Sequence, residues 1–567
     1  MTTGRPVRIR RFGPSRPWFL PGSMAELELD LVAAARIRVT ATVELLDIDV
    51  VVERVVRMFR LAAGAGRRAV RIPLPEARRH GYGLRLALEW PGGRASATAA
   101  VEALDGWWES PRHAAMTDFR SPRTLAARVA ALRDWHVTVV QDYDWMYRHY
   151  RYEPPAGTSF IDALGRRVSH NAVRAGVHAG HRVGIATLAY GSVYGAEREY
   201  VDEHPDERVF DEAGVPLSLG ETFYINDLRP GRPWRRRLLD EYVRACRRFG
   251  FDGVHMDTYG PPHRAVAFDG EPIDFGALYA GLIADAAERV AGARPSGRVL
   301  FNCVEGFPLE AVASAPAAAL YLELWPPDER YADVVRWIER ARASGDGRQV
   351  VIAAYISALR DAEHDPARRS GAVEAAILLT SVISAAGGYH HVLAEHERVL
   401  VEGYYPEARR LRAREAADLR SAWVFGARYV HLLSGPGLEP VAGGSVELVD
   451  AAGHPIPTSD TPAAGAVWVR PTRTENGTRV LHLVDLRAQV DDRWDAIRQV
   501  ACPSSGWRLR WPEARTPVAM SPWTAGGDAA HLRPADGGTW ALPAFRRWLV
   551  AADRNHLNSH ETHDSRP

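Results

Sequence analysis

Apolar and polar residues alternate along the first hundred positions of the chain. Three runs place apolar side chains two residues apart: Ile37 to Leu45, Val70 to Leu74, and Leu84 to Leu88. Strict alternation over short runs separated by turn residues is typical of half-buried β-strands. The pattern predicts an immunoglobulin-like β-sandwich over residues 1–106.

The pattern changes at about residue 107 to short apolar runs separated by longer amphipathic stretches. The predicted strands cover residues 136–141, 183–189, 222–226, 253–257, 298–304, 319–324, 349–355 and 387–393. Eight strand-helix alternations favour a (β/α)8 TIM barrel over a doubly wound sheet, which usually has fewer strands and a Gly-rich phosphate loop. The sequence therefore predicts a multidomain α/β protein with a central barrel over residues 107–415.

Residues 416–567 return to a β pattern. Two alternating runs, 467–469 and 480–484, flank the segment Asn476-Gly477. Asn-Gly between such runs is a strong hairpin signal. We predict a C-terminal antiparallel β-sandwich domain that ends in a frayed polar tail over residues 555–567.

Composition excludes several classes of function. The formal net charge of +1 gives no electrostatic case for nucleic acid or an anionic membrane. All 71 basic residues are arginine, so Schiff-base chemistry, a Walker A lysine and a Ser-Lys dyad are excluded. The sequence has no signal-peptide pattern and no apolar run of 18 residues. We expect a cytoplasmic protein with a neutral substrate.

Metal and nucleophile motifs are missing from the sequence. Cys246, Cys303 and Cys502 lie far apart, which predicts neither a disulfide framework nor a Cys-x-x-Cys metal site. No His-Glu-x-x-His or Gly-x-Ser-x-Gly sequence is present. We expect no metal site.

Carboxylates follow several predicted barrel strands. Asp257 ends the run Gly253-Val254-His255-Met256-Asp257, Glu323 ends the sixth predicted strand, and Asp144 follows the first. Barrel enzymes carry their catalytic groups at these strand ends. Retaining glycoside hydrolysis needs two carboxyl groups roughly 5–5.5 Å apart, one as nucleophile and one as acid/base.

Aromatic and histidine side chains accompany these carboxylates. The aromatic residues at the predicted strand ends are Tyr143, Trp145, Tyr147, Tyr190, Tyr194, Tyr259 and Trp325. Flat rings with a polar edge suit the faces of a pyranose, although such rings also pack in cores. The histidines are His149, His255, His390 and His391. Hydrogen bonds to sugar hydroxyls, or a purely structural role, are favoured for them over metal binding.

Four segments together resemble glycoside hydrolase family 66, which contains dextranases and cycloisomaltooligosaccharide glucanotransferases. They are residues 143–149, 189–194, 250–257 and 321–325, in the family's order. Gly388-Tyr389-His390, followed by Tyr404-Tyr405-Pro406, also keeps the family's spacing. The resemblance covers nearly the whole chain.

The resemblance implies roles for individual residues. Asp257 corresponds to the nucleophile and Glu323 to the general acid/base. Asp144 corresponds to a carboxylate that holds the sugar, and the resemblance implies no metal or organic cofactor. The further candidates for substrate contact are Trp145, His149, Tyr190, Tyr194, His255, Tyr259, Asn302, Trp325 and His390. The implied reaction is a retaining double displacement on α-1,6-linked glucose chains, as in a dextranase-like endo-glucanase. The expected partner is therefore an α-1,6-linked glucan or oligosaccharide.

Three features of the sequence bear on the substrate and the reaction. Val392 replaces an acidic residue common in the family, and Ala394 replaces a glycine, which removes one polar contact. Residues 349–390 leave no room for the carbohydrate-binding insertion of the glucanotransferases, which favours hydrolysis. With no secretion signal, isomaltooligosaccharides are favoured over polymeric dextran. Two alternatives stay open: a transglycosylase that forms isomaltooligosaccharides, and a glucan-binding protein without turnover.

Overall fold

The computed structural model describes residues 6–441, 446–500, 502–524 and 527–553. The tail predicted to be frayed, 555–567, lies outside these ranges. The protein contains several sheets and a series of helices arranged in three consecutive stretches of the chain.

The N-terminal stretch is built from β-strands. They are Val7–Pro14, Trp18–Phe19, Met24–Ala33, Ile37–Asp47, Val50–Leu61, Gly64–Pro73, His80–Trp90 and Gly93–Ala103. Three of them form one sheet and five form a second. The three alternating runs seen in the sequence lie in strands except for Leu74, which follows the end of Gly64–Pro73. Their buried residues, such as Val43 and Leu86, share one core with Leu29.

The central stretch forms a parallel sheet. Its first to eighth strands are His113–Met116, Val139–Asp142, Ala186–Ser192, Gly253–Asp257, Arg298–Val304, Leu320–Glu323, Val350–Ala353, and Tyr389–His391 continued by Leu393–Ala394. Each strand pairs in parallel with the next. Leu393–Ala394 pairs in parallel with the first strand. The sheet therefore curls until its last strand meets its first.

One predicted strand forms but lies outside the central sheet, and one strand of the central sheet was missed. Phe223–Ile225 pairs antiparallel with Gly195–Ala196 and Ser218–Leu219, outside the central sheet. The missed strand is the first, His113–Met116, whose sequence His-Ala-Ala-Met carries little β propensity. Burial on both faces of the sheet, rather than local preference, makes this segment a strand.

Helices alternate with the central strands. They are Leu125–Arg133, His170–Val183, Arg198–Glu203, Pro233–Arg244, Phe275–Ala293, Leu309–Ala313, Tyr331–Ser344, Ser357–Asp361, Pro366–Ala385, Ala413–Arg428 and Val430–Leu433. Asp274 caps Phe275–Ala293, since its side chain accepts a hydrogen bond from Ala277 N at 3.2 Å. Gly184, in the left-handed region at φ 75°, ends His170–Val183.

The loops of the central stretch contain further short strands and short helices. The remaining strands are Ser159–Ile161, Arg167–Ser169, Val209–Phe210, Arg264–Ala267, Pro272–Asp274, Arg398–Val399 and Arg409–Arg410. The short 3-10 helices are Trp107–Glu109, Pro122–Thr124, Pro205–Glu207 and Tyr405–Glu407, and Ala245–Phe249 forms a π-helical turn. Several of these lie beside the carboxyl edge of the sheet, where the side chains considered below gather.

The C-terminal stretch is again built from β-strands. They are Glu439–Pro440, Glu447–Val449, Thr458–Ser459, Val467–Arg473, Arg479–Asp485, Arg508–Arg510, Val518–Met520, Ala530–His531, Arg533–Ala535, Thr539–Ala541 and Trp548–Asp553. Val467–Arg473 and Arg479–Asp485 pair antiparallel across the Asn476-Gly477 turn. The predicted hairpin is confirmed.

The cysteines and the helices of the described residues complete the description of the fold. Cys246, Cys303 and Cys502 are all free. No helix in the described ranges has both the length and the apolar character needed to cross a bilayer.

Candidate active site

Two carboxylates and one amide meet at the carboxyl edge of the central sheet. Asp257 is the last residue of the fourth strand and Glu323 is the last residue of the sixth. Asn302, on the fifth strand between them, donates from Nδ2 to Asp257 Oδ1 at 2.7 Å and to Glu323 Oε2 at 2.5 Å. Because both contacts end on one nitrogen, the two oxygens can be no farther apart than the sum of these lengths.

The close approach of the fourth and fifth strands depends on a glycine. Gly253 begins the fourth strand at φ 154°, and a Cβ atom there would lie 1.8 Å from the carbonyl oxygen of Arg298. Only glycine can occupy this position. The strand that ends in Asp257 is thereby held against the strand that carries Asn302.

Glu323 has a second donor that sequence reasoning missed. Tyr355, just after the seventh strand, donates its hydroxyl to Glu323 Oε1 at 2.6 Å. Both oxygens of Glu323 are therefore hydrogen-bonded. In the described part of the chain, neither Glu323 nor Asp257 forms an ion pair with an arginine.

Burial changes the ionisation of both carboxyl groups. Removal from water and then the charge of Glu323 raise the pKa of Asp257 to about 7, against the hydrogen bonds from Asn302 and Tyr190. Burial also raises the pKa of Glu323. Because the two groups repel each other at close range, they titrate as a pair. The site can hold one carboxylate and one carboxylic acid at the same pH.

The raised pKa of Asp257 predicts a pH-dependent stability. Its carboxyl binds a proton more tightly in the folded protein than at the ordinary value of 3.8, so stability is lost as pH rises towards about 7. Asparagine cannot ionise. We expect Asp257→Asn to raise the melting temperature relative to wild type more at pH 8 than at pH 5, measured by differential scanning calorimetry.

A matched variant controls for the Asp-to-Asn change itself. Asp274 is exposed, and asparagine is an equally good helix N-cap, so Asp274→Asn should shift the melting temperature similarly at both pH values. A pH-independent shift in Asp257→Asn would contradict the raised pKa.

A cavity of about 440 Å³ opens over the carboxylate pair. Seven of the predicted site residues line it: Asp144, His149, Tyr190, Asp257, Tyr259, Glu323 and Trp325. The remaining wall includes Tyr143, Phe223, Glu305 and Tyr404. Aromatic faces with a few polar groups are the usual lining of a site for a neutral polar molecule.

Asp144 enters the cavity through an unusual backbone conformation. It follows the second strand, rather than the first as predicted, and has φ 48°, in the left-handed region that non-glycine residues rarely adopt. Arg166 lies 3.4 Å from its carboxylate and donates to its carbonyl oxygen at 2.9 Å. Burial nevertheless raises the pKa of Asp144. Strained backbone of this kind is common at functional sites.

His149 is held by a buried glutamate. Glu197 accepts hydrogen bonds from His149 N at 2.9 Å and lies 3.0 Å from its Nδ1. Burial opposes the charged imidazolium, but the carboxylates of Glu197, Asp144 and Asp162 together raise the pKa of His149. The ring is therefore fixed in orientation at the cavity wall.

Two predicted contact residues lie behind the cavity wall. Trp145 is fully buried and donates to the carbonyl oxygen of Tyr190 at 3.1 Å. Tyr194 is also fully buried, and its hydroxyl accepts from Tyr259 N at 2.7 Å. Their contacts support lining residues, so we revise their role from substrate contact to support.

Two predicted histidines also do not reach the cavity. His255 lies two residues before Asp257, on the same face of the fourth strand but one layer deeper, beside Tyr321. His390 points away from the sheet interior, where Thr380 and the carbonyl of Ala354 contact its ring at 2.8 and 3.0 Å. Neither histidine is positioned for direct contact with a substrate in this cavity.

Several functional residues had weak signals or none in the sequence. Tyr355 follows an ordinary buried strand, and only its hydrogen bond to Glu323 shows that it belongs to the site. Phe223 comes from the insertion after the third strand, which the sequence pattern had assigned to the central sheet. Tyr404 lies in the segment that carried the family spacing.

Comparison with known proteins finds a family and relatives for this chain. The model of Glycosyl hydrolase family 66 matches residues 16–533. Two cycloisomaltooligosaccharide glucanotransferases from Niallia circulans are 26% and 24% identical over 283 and 281 residues. Each match covers 46% of this chain and 29% of the relative, so it spans under a third of the relative's length.

A solved structure is similar over almost the whole chain. The cycloisomaltooligosaccharide glucanotransferase from Paenibacillus sp., in complex with cycloisomaltoheptaose, superposes with a TM-score of 0.85 at 17% identity. The match covers 96% of this chain and 99% of the other. At this identity the likeness concerns the fold. The match of the family model over residues 16–533 identifies the chain as a member of glycosyl hydrolase family 66.

Proposed function

We propose that the protein is a retaining glycosidase that cleaves α-1,6-linked glucose chains, with Asp257 as nucleophile and Glu323 as acid/base. The bridge through Asn302 Nδ2 carries this proposal. It keeps the two bridged carboxylate oxygens no farther apart than the roughly 5–5.5 Å of retaining enzymes, and so below the roughly 6.5–9.5 Å of inverting ones.

The geometry supports a double displacement. In the first step Asp257 attacks the anomeric carbon while Glu323 gives its proton to the departing glycosidic oxygen. In the second step the ionised Glu323 takes a proton from water, whose oxygen attacks the same carbon and releases Asp257. Two inversions at one carbon retain the anomeric configuration.

We infer that the scaffold is a (β/α)8 barrel with flanking β-domains. Pairing of the eighth strand with both the seventh and the first supports a closed barrel. The division at residues 1–106, 107–415 and 416–567 stays our proposal, with one adjustment. Helix Ala413–Arg428 packs against helix Pro366–Ala385, which favours extending the barrel past residue 428.

The cavity suits a neutral sugar. Tyr190, Tyr259 and Trp325 offer ring faces for pyranose C–H groups, while Asp144 and His149 offer hydrogen bonds to hydroxyls. The α-1,6 linkage is supported by family membership and by the relatives, whose names refer to isomaltooligosaccharides. Both steps use carboxyl groups of this chain together with a water molecule.

A second cavity supports glucosyl transfer as an alternative to hydrolysis. It has a volume of about 590 Å³ and shares Trp325, Gly403 and Tyr404 with the first. A Cβ atom on Gly403 would lie 3.3 Å from Trp325 and 3.6 Å from Glu323 Oε1, so glycine keeps this boundary open. A sugar in the second cavity would lie on the side of the acid/base, where the leaving chain departs and an acceptor enters.

Hydrolysis remains the main proposal because of the segment before the eighth strand. It consists of helices Ser357–Asp361 and Pro366–Ala385 and carries no inserted domain. The resemblance to the family links such an insertion to the glucanotransferases.

The test is a panel of linear isomaltooligosaccharides and maltooligosaccharides of equal length. We expect cleavage of the α-1,6 series, with no reaction of the α-1,4 series or starch, because the extra rotatable bond sends the chain along a different path over the aromatic rings. Chromatography would measure the products, and products longer than the substrate would indicate transfer.

Two outcomes would contradict parts of this proposal. Equal rates on the two series would refute the linkage specificity but not the mechanism. A β anomer as the first-formed sugar by NMR would refute the retaining mechanism. Protein carrying Asp257→Asn, purified in parallel, controls for contaminating glucanases.

A further inference from the structure

A row of hydroxyl groups runs from Glu323 into the interior of the central sheet. Tyr355 OH donates to Glu323 Oε1 at 2.6 Å and lies 3.3 Å from Tyr405 OH. Tyr405 OH lies 3.3 Å from Tyr321 OH, which lies 2.7 Å from His391 Nδ1. We call these four residues, Tyr355, Tyr405, Tyr321 and His391, the tyrosine chain.

The tyrosine chain is assembled from separate elements. Tyr321 is on the sixth strand, two residues before Glu323 and therefore on the same face one layer deeper. Tyr355 follows the seventh strand, His391 is on the eighth, and Tyr405 begins a short 3-10 helix beyond it. All four are at most 5% exposed. Burying hydroxyls costs free energy unless they are hydrogen-bonded, so filling space alone would favour phenylalanine here.

The inner end of the chain is a group of neutral histidines. His391 stacks on His113 with ring centroids 4.4 Å apart, and His255 lies 5.7 Å from His113. Burial lowers the pKa of all three, so they are uncharged at neutral pH. The Nε2 atom of His391 has no hydrogen-bond partner among the described residues. A neutral imidazole can carry its proton on either nitrogen, so His391 can act as donor or acceptor towards Tyr321.

We propose that the tyrosine chain stabilises the ionised form of Glu323 and so sets the pH range over which this residue works as acid and base. The inference rests on the proposed role of Glu323. Tyr355 touches the carboxylate, whereas Tyr405, Tyr321 and His391 are positioning residues that act through it. With every hydroxyl oriented towards Glu323, each bond strengthens the next.

The need for such support follows from the reaction. Between the two displacements Glu323 is ionised in a buried site without an arginine counterion in the described residues. No proton has to travel along the chain, because each hydroxyl keeps its own hydrogen and only its orientation matters. Oriented hydroxyls can therefore offset part of the cost of the buried charge.

Other groups near Glu323 also affect its pKa, and some raise it while others lower it. The Asp257 and Glu305 carboxylates repel its charge and favour the protonated form. Asn302 and Trp325 donate hydrogen bonds that favour the ionised form, as Tyr355 does. Tyr405 and Tyr321 are further titratable neighbours of Glu323. The variants below change only the tyrosine contribution.

The test is a titration of Glu323 by NMR in protein labelled with ¹³C at the glutamate carboxyl group. The Glu323 signal is assigned by its loss in Glu323→Gln. We expect Tyr355→Phe to raise the pKa of Glu323 by about one unit, because a donor to a charged group is removed. Tyr405→Phe should raise it by roughly a quarter of that, through the weakened Tyr355 bond.

The same variants should change the pH–rate profile. The basic limb of kcat/KM reports loss of the proton from Glu323, so a higher pKa moves this limb to higher pH. Tyr389→Phe is the matched control. Tyr389 is a buried tyrosine on the eighth strand whose hydroxyl contacts Ser434 at 2.7 Å, away from the chain. Removal of the Tyr389 hydroxyl should change neither the pKa of Glu323 in the NMR titration nor the pH of the basic limb of kcat/KM.

The outcomes separate this inference from the proposed function. If Tyr405→Phe leaves the Glu323 titration unmoved while the protein stays folded, the chain does not act beyond Tyr355 and the inference is wrong. Tyr321→Phe provides the same test if Tyr405→Phe fails to fold. A wild-type protein that cleaves no α-1,6 glucan would refute the proposed function, yet the NMR titration would still decide on the chain.

Discussion

Asp257→Asn is expected to lower kcat on an isomaltooligosaccharide by a factor on the order of 10⁴ or more. The amide cannot form the covalent bond to the anomeric carbon, yet it keeps the size of the side chain and can still accept from Asn302. Initial rates at saturating substrate measure this loss. Asp274→Asn, at an exposed helix cap, should retain the wild-type rate.

A smaller side chain tests whether Asp257 is the nucleophile rather than a binding group. Asp257→Ala leaves space beside the anomeric carbon that azide can enter. With an activated α-glucoside and azide we expect a β-glucosyl azide, because a single displacement inverts the configuration. Activity of Asp257→Ala near the wild-type level, or an α-glucosyl azide as product, would overturn the assignment.

Much of the central sheet could be predicted from the sequence because its strands are short apolar runs. Gly253–Asp257 has the predicted bounds, and Leu320–Glu323 lies within the predicted 319–324. The turn residues that follow such strands identify the end at which side chains gather, and this is why Asp257 and Glu323 stood out. Their exact separation required the structure, since it depends on Asn302 of the intervening strand.

One missed strand and one strand assigned to the wrong sheet show where the local sequence pattern is insufficient. His113–Met116 contains two alanines and a histidine, so nothing in its composition distinguishes it from a loop. Its pairing with the second and eighth strands stabilises it. Phe223–Ile225 has a stronger local β pattern but pairs with loop strands, so tertiary pairing decided both cases.

The sequence shows that His390 and His391 are adjacent on one predicted strand, but it does not show which of them faces the interior of the sheet. Successive residues of a strand point to opposite faces, so His390 and His391 cannot both face the interior. Only the register of the eighth strand against the seventh shows that His391 points inwards and His390 towards helix Pro366–Ala385. Tyr355 had no comparable signal, because a hydroxyl that donates to Glu323 across two strands leaves no trace in local spacing.

Glu323→Gln is expected to separate the two steps of the reaction. Glutamine cannot protonate the glycosidic oxygen, so cleavage of an isomaltooligosaccharide should fall by roughly 10²–10⁴-fold. A glucosyl fluoride or nitrophenyl α-glucoside, if the site accepts one, carries a leaving group that needs no proton, and its first step should be retained. The first step is measured as a burst of released fluoride or nitrophenol.

The second step should then be slow, because no general base activates water. We expect the glucosyl-enzyme to accumulate and to appear in intact-protein mass spectrometry as an adduct that proteolysis assigns to Asp257. Azide, which needs no base, should release it as an α-glucosyl azide. Glu310→Gln, at an exposed glutamate paired with Arg340, is the matched control and should behave as wild type. If Glu323→Gln slowed the activated and natural substrates equally, with no adduct, Glu323 would not be the acid/base, and the support of its charge by Tyr355 would need another explanation.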